Sequence, residues 1–152
     1  IFIMAANTEP IFSKNGKIGS VLITAANTSS QGGGTVATDI FLAFTADATN
    51  GSFIRQVRLI ATGTTANTAT TATVGRVFIS SVTSGATTSS NTYMVAEVTL
   101  PSVSADSSTV GASYLDVVLG FPIPAGYTIL VTNHAAPAAN TAWRAVVIAG
   151  DY

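Results

Sequence analysis

The chain has 152 residues, a formal net charge of −1 at pH 7 and only 9% charged residues, against about 25% in an ordinary soluble domain. Nucleic acids and anionic membrane surfaces are bound through clusters of Lys and Arg, so we expect neither as a partner. The absence of cysteine excludes a disulfide framework and a Cys-based zinc site. No run reaches the roughly 20 apolar residues of a membrane-spanning helix.

Residues 1–16 are predicted to form an N-terminal arm, followed by one sandwich domain at 17–152. The arm begins IFIMAANTEP, which is short for a secretory signal and has no basic region. Its apolar residues stand ahead of the first predicted strand, and Pro10 separates most of them from it. Such a segment is either disordered or docked on another surface.

Apolar residues alternate with polar ones in several segments, which is the period of a half-buried strand. Loops rich in Thr, Ser, Asn and Gly separate these segments, and NTSSQGGG at 27–34 is predicted to be a flexible loop. No window combines a period of 3.6 residues with helix-capping signals. The predicted strands are 17–26, 35–45, 53–61, 74–80, 93–100, 115–121, 127–131 and 143–149.

The segment 35–45 places Ile40, Leu42 and Phe44 on alternate positions, so these three are predicted to share a face. The next segment, FIRQVRLIA, puts Arg55 on the same face as the apolar Phe53. A charged residue on an apolar face predicts a β-bulge or a barrel rim at the start of this strand.

The clearest pair of strands lies in 115–131, LDVVLGFPIPAGYTILV. Large apolar residues alternate on both sides of a connection made of proline and glycine. Pro122 and Pro124 fix φ and remove two backbone donors, so the first strand is predicted to end before them. Gly126 is predicted to take a positive φ in the turn that follows. Tyr127 is predicted to begin the next strand with its ring in the core.

About eight antiparallel strands of this length and spacing predict an all-β fold, a two-sheet jelly-roll sandwich. An immunoglobulin-like sandwich is the alternative, although the Cys pair and the Trp spacing of that fold are missing.

Few residues are candidates for chemistry. His134 is the only histidine, and no G-x-S-x-G nucleophile motif accompanies it, so a structural role in an exposed loop is favoured over a hydrolase triad. An ordinary turn is favoured over a calcium loop at Asp47 and Asn50. Trp143 is favoured as a core residue over a sugar-stacking platform. We therefore expect no enzyme activity, no cofactor and no bound metal.

Three arginines, Arg55, Arg58 and Arg76, lie in neighbouring predicted strands and form one basic stripe if those strands pair. The favoured alternative is that they form ion pairs across a sheet or across a subunit boundary. The candidate partners are Asp39, Glu97 and Asp116.

Several short motifs follow one another in order: NGSFIRQVRLIATGTTANT, GRVFI, EVTLP, FPIPAGYTILV and a terminal WRAVVIAGDY. Together they make 50–152 resemble a group of small virion structural proteins of tailed bacteriophages. That resemblance implies a β-rich protein of the capsid decoration, or cement, type, or one associated with a fibre. The long Thr and Ser loops depart from the pattern of the group.

The leading hypothesis from this resemblance is a capsid decoration protein that binds the major capsid protein at the outer capsid surface of the virion. We expect a homo-oligomer, a trimer around a local threefold axis, that stabilises the shell through added subunit contacts. The alternative is a receptor-binding or carbohydrate-binding module associated with a head or tail fibre, which uses the loops around Trp143 and His134. The expected anchoring residues of the arm are Phe2, Ile3, Ile11 and Phe12.

Overall fold

The computed structural model describes residues 13–152, and the expected anchoring residues Phe2, Ile3, Ile11 and Phe12 lie outside this range. Within the range the chain forms strands and no helix, so the all-β prediction is confirmed. The described residues accordingly contain no helix that could span a membrane. The eight long strands are β1 (Asn15–Ile23), β3 (Phe41–Thr45), β4 (Ser52–Gly63), β6 (Thr73–Ser80), β8 (Thr92–Leu100), β10 (Tyr114–Ile123), β11 (Thr128–Asn133) and β12 (Thr141–Asp151). Four strands of two residues each are β2 (Gly34–Thr35), β5 (Thr68–Ala69), β7 (Ala86–Thr87) and β9 (Ser104–Ala105).

The long strands form two four-stranded antiparallel sheets that pack face to face, which confirms the predicted sandwich. Sheet A has the order β1-β12-β4-β10, and sheet B has the order β3-β11-β6-β8. The first long strand pairs with the last, the second with the seventh, the third with the sixth and the fourth with the fifth. β1 begins at Asn15, ahead of the predicted domain boundary at residue 17.

Side chains that alternate along the strands form the core between the sheets. In β12, Trp143, Ala145 and Val147 are buried, whereas Arg144 and Val146 between them lie on the outer face. Trp143 is 1% exposed, which confirms its expected place in the core. Full burial of a large apolar side chain contributes roughly 1.5–3 kcal/mol, so residues of this kind from both sheets supply most of the stability.

A β-bulge at Arg55 decides which residues of β4 enter the core. Ile54 and Gln56 of β4 pair with two consecutive residues of β12, Ala149 and Ile148. Arg55, which lies between Ile54 and Gln56, is therefore the extra residue of the bulge. Of the two alternatives predicted for the start of this strand, a β-bulge or a barrel rim, the structure has the bulge. The extra residue shifts the side-chain alternation, and Ile54 is fully buried while Phe53, expected on the core face, is half-buried.

The predicted strand 35–45 is divided in the structure. Its beginning belongs to the short strand β2, and the chain then turns at Ala37, whose φ is 68°. A second irregularity lies in β3, where two steps from Leu42 to Phe44 match one step along β11. The prediction that Ile40, Leu42 and Phe44 share a face is wrong, because this bulge turns Leu42 to the outside of sheet B and Phe44 to the core.

The connection between β10 and β11 joins the two sheets. β10 runs through Pro122 to Ile123, so the prediction that the strand ends before the prolines is wrong for Pro122. β10 is an edge strand of sheet A, where proline is tolerated because alternate backbone N–H groups point away from the sheet. The turn follows the prediction, since Gly126 has a φ of 72° and the Tyr127 N–H donates to the Pro124 carbonyl at 3.1 Å. Tyr127 is partly buried against the core.

Candidate interaction surfaces

The outer face of sheet B is covered by the chain itself over β6 and β11, whereas Met94 on the edge strand β8 is 42% exposed. Residues 24–40 connect β1 to β3, and within them Ile40 is fully buried against Phe78 of β6 and Leu130 of β11. Sheet B therefore has apolar side chains buried on both sides, and every residue of β11 is buried. We call this surface the covered face; its apolar cluster is Val36, Ile40, Leu42, Phe78 and Leu130.

Hydrogen bonds hold the covering segment in place. The Asn27 N–H donates to the Asn133 carbonyl at 2.7 Å. The Asn27 side chain donates to the Gly33 carbonyl at 3.0 Å and accepts from the Ser29 N–H at 2.8 Å. The prediction of a flexible loop at 27–34 missed this arrangement, because composition alone does not reveal a buried side chain that ties the two ends of a loop together.

No described segment covers the outer face of sheet A. The strand register aligns Ile18, Ile148, Gln56 and Val118 in one row across its four strands. Both ends of the row are open to solvent, since Ile18 is 76% and Val118 is 75% exposed. Single exposed apolar residues are common, but Ile18 and Val118 lie in one row with half-buried Ile148, and Gln56 is the one polar residue of that row. Apolar residues grouped in this way are typical of a surface that contacts another molecule. We call this surface the open face; it comprises Ile18, Gln56, Arg58, Ile60, Tyr114, Asp116, Val118, Val146 and Ile148.

One ion pair lies on the open face. Arg58 and Asp116 are opposite each other on β4 and β10, and the guanidinium donates to the two carboxylate oxygens at 2.7 and 2.8 Å. Arg58 also lies over the ring of Tyr114, 4.2 Å from its centroid. The hydrogen bond from Arg58 lowers the pKa of Asp116 below its ordinary value, and the same bond raises the pKa of Arg58. The two charges cancel, so the pair adds no net charge to the apolar surface.

Arg76 is buried in sheet B and makes its contacts inside the chain. It is 7% exposed, and its Nε donates to Glu97 Oε2 at 2.7 Å. Its terminal nitrogens bond the Asn27 carbonyl at 3.3 Å and His134 Nδ1 at 3.1 Å. A guanidinium has no acceptor atom, so His134 Nδ1 accepts this bond. The cluster ties the covering segment to β6, to β8 and to the loop after β11.

The three arginines singled out in the sequence therefore have different surroundings. Arg58 and Arg76 form ion pairs across neighbouring strands of the same chain, with two of the expected partners, Asp116 and Glu97. Arg55 is exposed in the bulge of β4. Because β4 and β6 lie in different sheets, the three side chains do not form one basic stripe.

His134, Trp143 and Asp47 occupy structural positions. His134 contacts a guanidinium rather than a carboxylate, and buried Trp143 offers no ring surface to a sugar. Asp47 accepts hydrogen bonds from the N–H groups of Asn50 at 2.8 Å and Thr49 at 3.0 Å, and these bonds lower its pKa. Among residues 13–152, no three His, Cys, Asp or Glu side chains are arranged to hold a metal ion.

A pocket of about 310 Å³ lies at the end of sheet A, beside the loop that precedes β12. Its residues come from three strands and two loops, so no contiguous motif marks it in the sequence. Among the lining residues are Leu22, Thr62, Thr64, Asn140, Ala142 and Arg144.

Comparison with known proteins found no protein-family model, no curated protein and no solved structure that matches this chain. What indicates its function is therefore its own geometry, in which one outer face is covered, the other is open and a pocket lies beside the open one.

Proposed function

We propose that this protein is a virion structural protein of a tailed bacteriophage, a decoration protein that binds the outer surface of the capsid. It acts without catalysis, cofactor or metal, by adding contacts between neighbouring subunits of the major capsid protein. The observation that carries this proposal is the open face of sheet A, where Ile18 and Val118, on the two edge strands of the sheet, remain exposed. The resemblance of 50–152 to phage virion proteins directs the choice of partner.

The sandwich is proposed to be a jelly roll. In a jelly roll, a long antiparallel hairpin with four strands in each arm folds over into two sheets. The first strand then pairs with the last, the second with the seventh, the third with the sixth and the fourth with the fifth, as the long strands do here. In an immunoglobulin-like sandwich the first and last strands belong to different sheets, whereas here β1 and β12 are neighbours in sheet A. Jelly rolls are common in viral capsid proteins, and this likeness supports the proposal at the level of the fold alone.

The open face by itself is small for a stable interface. Four strands about 4.8 Å apart, over seven residues of about 3.3 Å each, cover roughly 440 Å² in projection. A standard interface buries about 800 Å² on each partner. In our proposal the arm supplies the remainder through Phe2, Ile3, Ile11 and Phe12. The arm joins the sandwich just before β1, an edge strand of sheet A, and so can add its contacts to those of the open face.

The functional unit is proposed to be a homo-oligomer, a trimer on a local threefold axis of the capsid. A surface with few charges favours association over the solvated monomer. A protein that binds only the assembled shell shifts the assembly equilibrium toward that shell by mass action. Sedimentation of the isolated protein at micromolar concentration should therefore show trimers. Monomers alone at this concentration would contradict self-assembly in free solution.

Co-sedimentation with capsids that lack this protein tests the open face. Val118→Asp places a charge in the proposed interface, where burial of an unpaired charge is costly. Met94→Asp is the matched control, because Met94 is an apolar residue 42% exposed on the edge strand β8 of sheet B. We expect Val118→Asp to lose at least about tenfold in affinity, which corresponds to roughly 1.4 kcal/mol, and Met94→Asp to bind like the wild type. Equal binding by both variants would contradict the open face as the binding surface, and a wild type that binds no capsid would contradict the decoration role.

Deletion of residues 1–9 tests the arm separately. We expect the β-rich circular dichroism spectrum and the melting temperature to stay unchanged, because Pro10 separates this segment from the sandwich, while capsid binding is lost. A deletion that unfolds the protein would show that the arm is part of the sandwich.

A further inference from the structure

The pocket at the end of sheet A contains an arginine that the fold leaves poorly bonded. Arg144 lies on the outer face because Trp143 and Ala145, on either side of it, point into the core. Its register partners are Leu22 on β1 and Ile60 on β4. The Arg144 side chain therefore leaves the sheet between two apolar side chains, and it lines the pocket.

Within the described residues, the only hydrogen bond of the Arg144 side chain is long. Its Nη1 donates to Ser20 Oγ at 3.5 Å, beyond the usual 2.7–3.2 Å range of N–H···O bonds. None of the residues that line the pocket is acidic. Asp116, a carboxylate on the same face of the sheet, is held through both oxygens by Arg58. The donors of Arg144 are therefore free for an outside carboxylate, which a guanidinium binds through two parallel hydrogen bonds.

The rim of the pocket presents hydroxyl and amide groups. Thr62 Oγ1 donates to the Ala142 carbonyl at 2.9 Å, so its oxygen can still accept a hydrogen bond from a ligand. The Thr64 N–H donates to the Asn140 carbonyl at 2.9 Å, which joins the two loops that form the rim. A hydroxyl and an amide close to a guanidinium suit a ligand that carries several hydroxyl groups beside one negative charge.

We propose that this pocket binds a sugar acid, a single sugar ring that carries a carboxylate. Arg144 pairs with the carboxylate, the threonine and asparagine groups of the rim bond the ring hydroxyls, and Leu22 contacts the C–H groups of the ring. The volume of about 310 Å³ lies at the lower end of the roughly 300–1,000 Å³ range of small-molecule pockets, so the pocket takes one ring. This site does not depend on the capsid role, and Arg144 lies on the outer face of β12, whereas its neighbour Trp143, for which the sequence favoured a core position over a sugar-stacking platform, points into the core.

NMR titration of the ¹⁵N-labelled protein with D-glucuronate tests the proposal, with D-glucose as the neutral control. Glucuronate should shift the backbone amide signals of Thr62, Thr64 and Ala142 in a saturable way. Glucose should bind at least about tenfold more weakly, because a hydrogen bond between charged partners contributes roughly 1.5–3 kcal/mol.

Variants locate the site. Arg144→Gln should weaken glucuronate binding at least about tenfold. Arg144→Lys should retain part of the affinity, because lysine keeps the positive charge but cannot form the two parallel hydrogen bonds of a guanidinium. Arg55→Gln is the control, since Arg55 is exposed near the opposite end of β4. The variant spectra should keep the dispersed signals of the core, which separates loss of binding from loss of folding.

Four results would overturn the proposal. Glucuronate could cause no shift in the pocket, or Arg55→Gln could lose as much affinity as Arg144→Gln. Acetate could bind as tightly as glucuronate, which would make the pocket a simple anion site without recognition of the ring. A short peptide with a free C-terminal carboxylate could bind more tightly than glucuronate, which would make the ligand a protein terminus.

Discussion

The two outer faces of the sandwich are built from the same kind of strand and have opposite environments. On sheet B, Phe78 and Leu130 are fully buried, because residues 24–40 bring Ile40 against them. On sheet A, Ile18 and Val118 also point away from the core, yet they are 76% and 75% exposed. An apolar residue on the outside of a strand is therefore buried only where another part of the chain returns over it.

The difference separates two uses of apolar surface. On the covered face, removal of apolar surface from water stabilises the folded chain. On the open face, the same free energy is gained only when a partner molecule covers the surface. Substitutions on the covered face should thus change stability, and substitutions on the open face should change binding.

Phe78→Ala should have the largest effect on stability. Removal of a fully buried phenylalanine ring typically costs about 3–5 kcal/mol, or roughly 10 °C in melting temperature for a domain of this size. Val118→Ala on the open face is the matched control and should change the free energy of unfolding by less than about 0.5 kcal/mol. Urea unfolding of both variants measures the difference, and equal losses would show that the two faces are covered alike.

Gly126→Val should have the next largest effect, and it concerns the turn that links the two sheets. Gly126 has a φ of 72°, where a β-branched residue is strained by about 1–3 kcal/mol. We expect a melting temperature several degrees lower, at about 2–4 °C for each kcal/mol. Gly111→Val is the control, because Gly111 has no positive φ and no atom near its added side chain. Equal melting temperatures for the two variants would mean that the connection is not a tight turn.

Asn27→Ala should loosen the cover of sheet B. The substitution removes two hydrogen bonds of a residue only 6% exposed, and loss of a buried polar partner costs about 1–3 kcal/mol. Hydrogen exchange should become faster in residues 24–40 and in β11 and stay nearly unchanged in β10. Asn50→Ala, in an exposed turn, should leave exchange in the covering segment as it is. A uniform increase over both sheets would contradict a local role for Asn27.

The smallest expected effect is the pH dependence contributed by the ion pair on the open face. The pKa of Asp116 is lowered from its ordinary value of 3.8 by the hydrogen bond from Arg58, so the folded state holds this carboxylate ionised more strongly than the unfolded state does. The resulting stability is present above the ordinary value and is lost as the pH falls from there through the lowered pKa. As the pH falls below 4, the free energy of unfolding of Asp116→Asn should therefore decrease less than that of the wild type. The contribution is small because the pair is exposed, and 1 M salt should reduce it further; identical acid unfolding curves would contradict it.

Local patterns in the sequence were enough for part of the fold. Trp143 was placed in the core by alternation alone, because successive side chains of a strand point to opposite faces whatever lies beyond them. Arg55 drew attention to the start of its strand, where a β-bulge or a barrel rim was predicted because a charge lies on an apolar face, and the structure has the bulge. The same rule failed at Leu42 and Phe44, where a bulge without a charged residue left no sign in the sequence.

The pairing of Arg58 with Asp116 was within reach of sequence reasoning, but the pocket at Arg144 was not. Opposite charges on two neighbouring strands allow an ion pair to be guessed from residue type. The pocket depends on Thr62 and Ala142, which are 80 positions apart, and on the turn at Asn140. No local signal reports that these residues meet.

The sequence by itself determined the all-β class, the turn at Gly126 and the core position of Trp143. These features follow from backbone preferences and a two-residue period, which act over a few neighbours. Only the tertiary structure decided that residues 24–40 lie over sheet B, that the outer face of sheet A has no such cover among the described residues, and that Arg144 lies in a pocket. Such contacts join distant parts of the chain, and their free energy depends on how the sheets stack and where each connection returns.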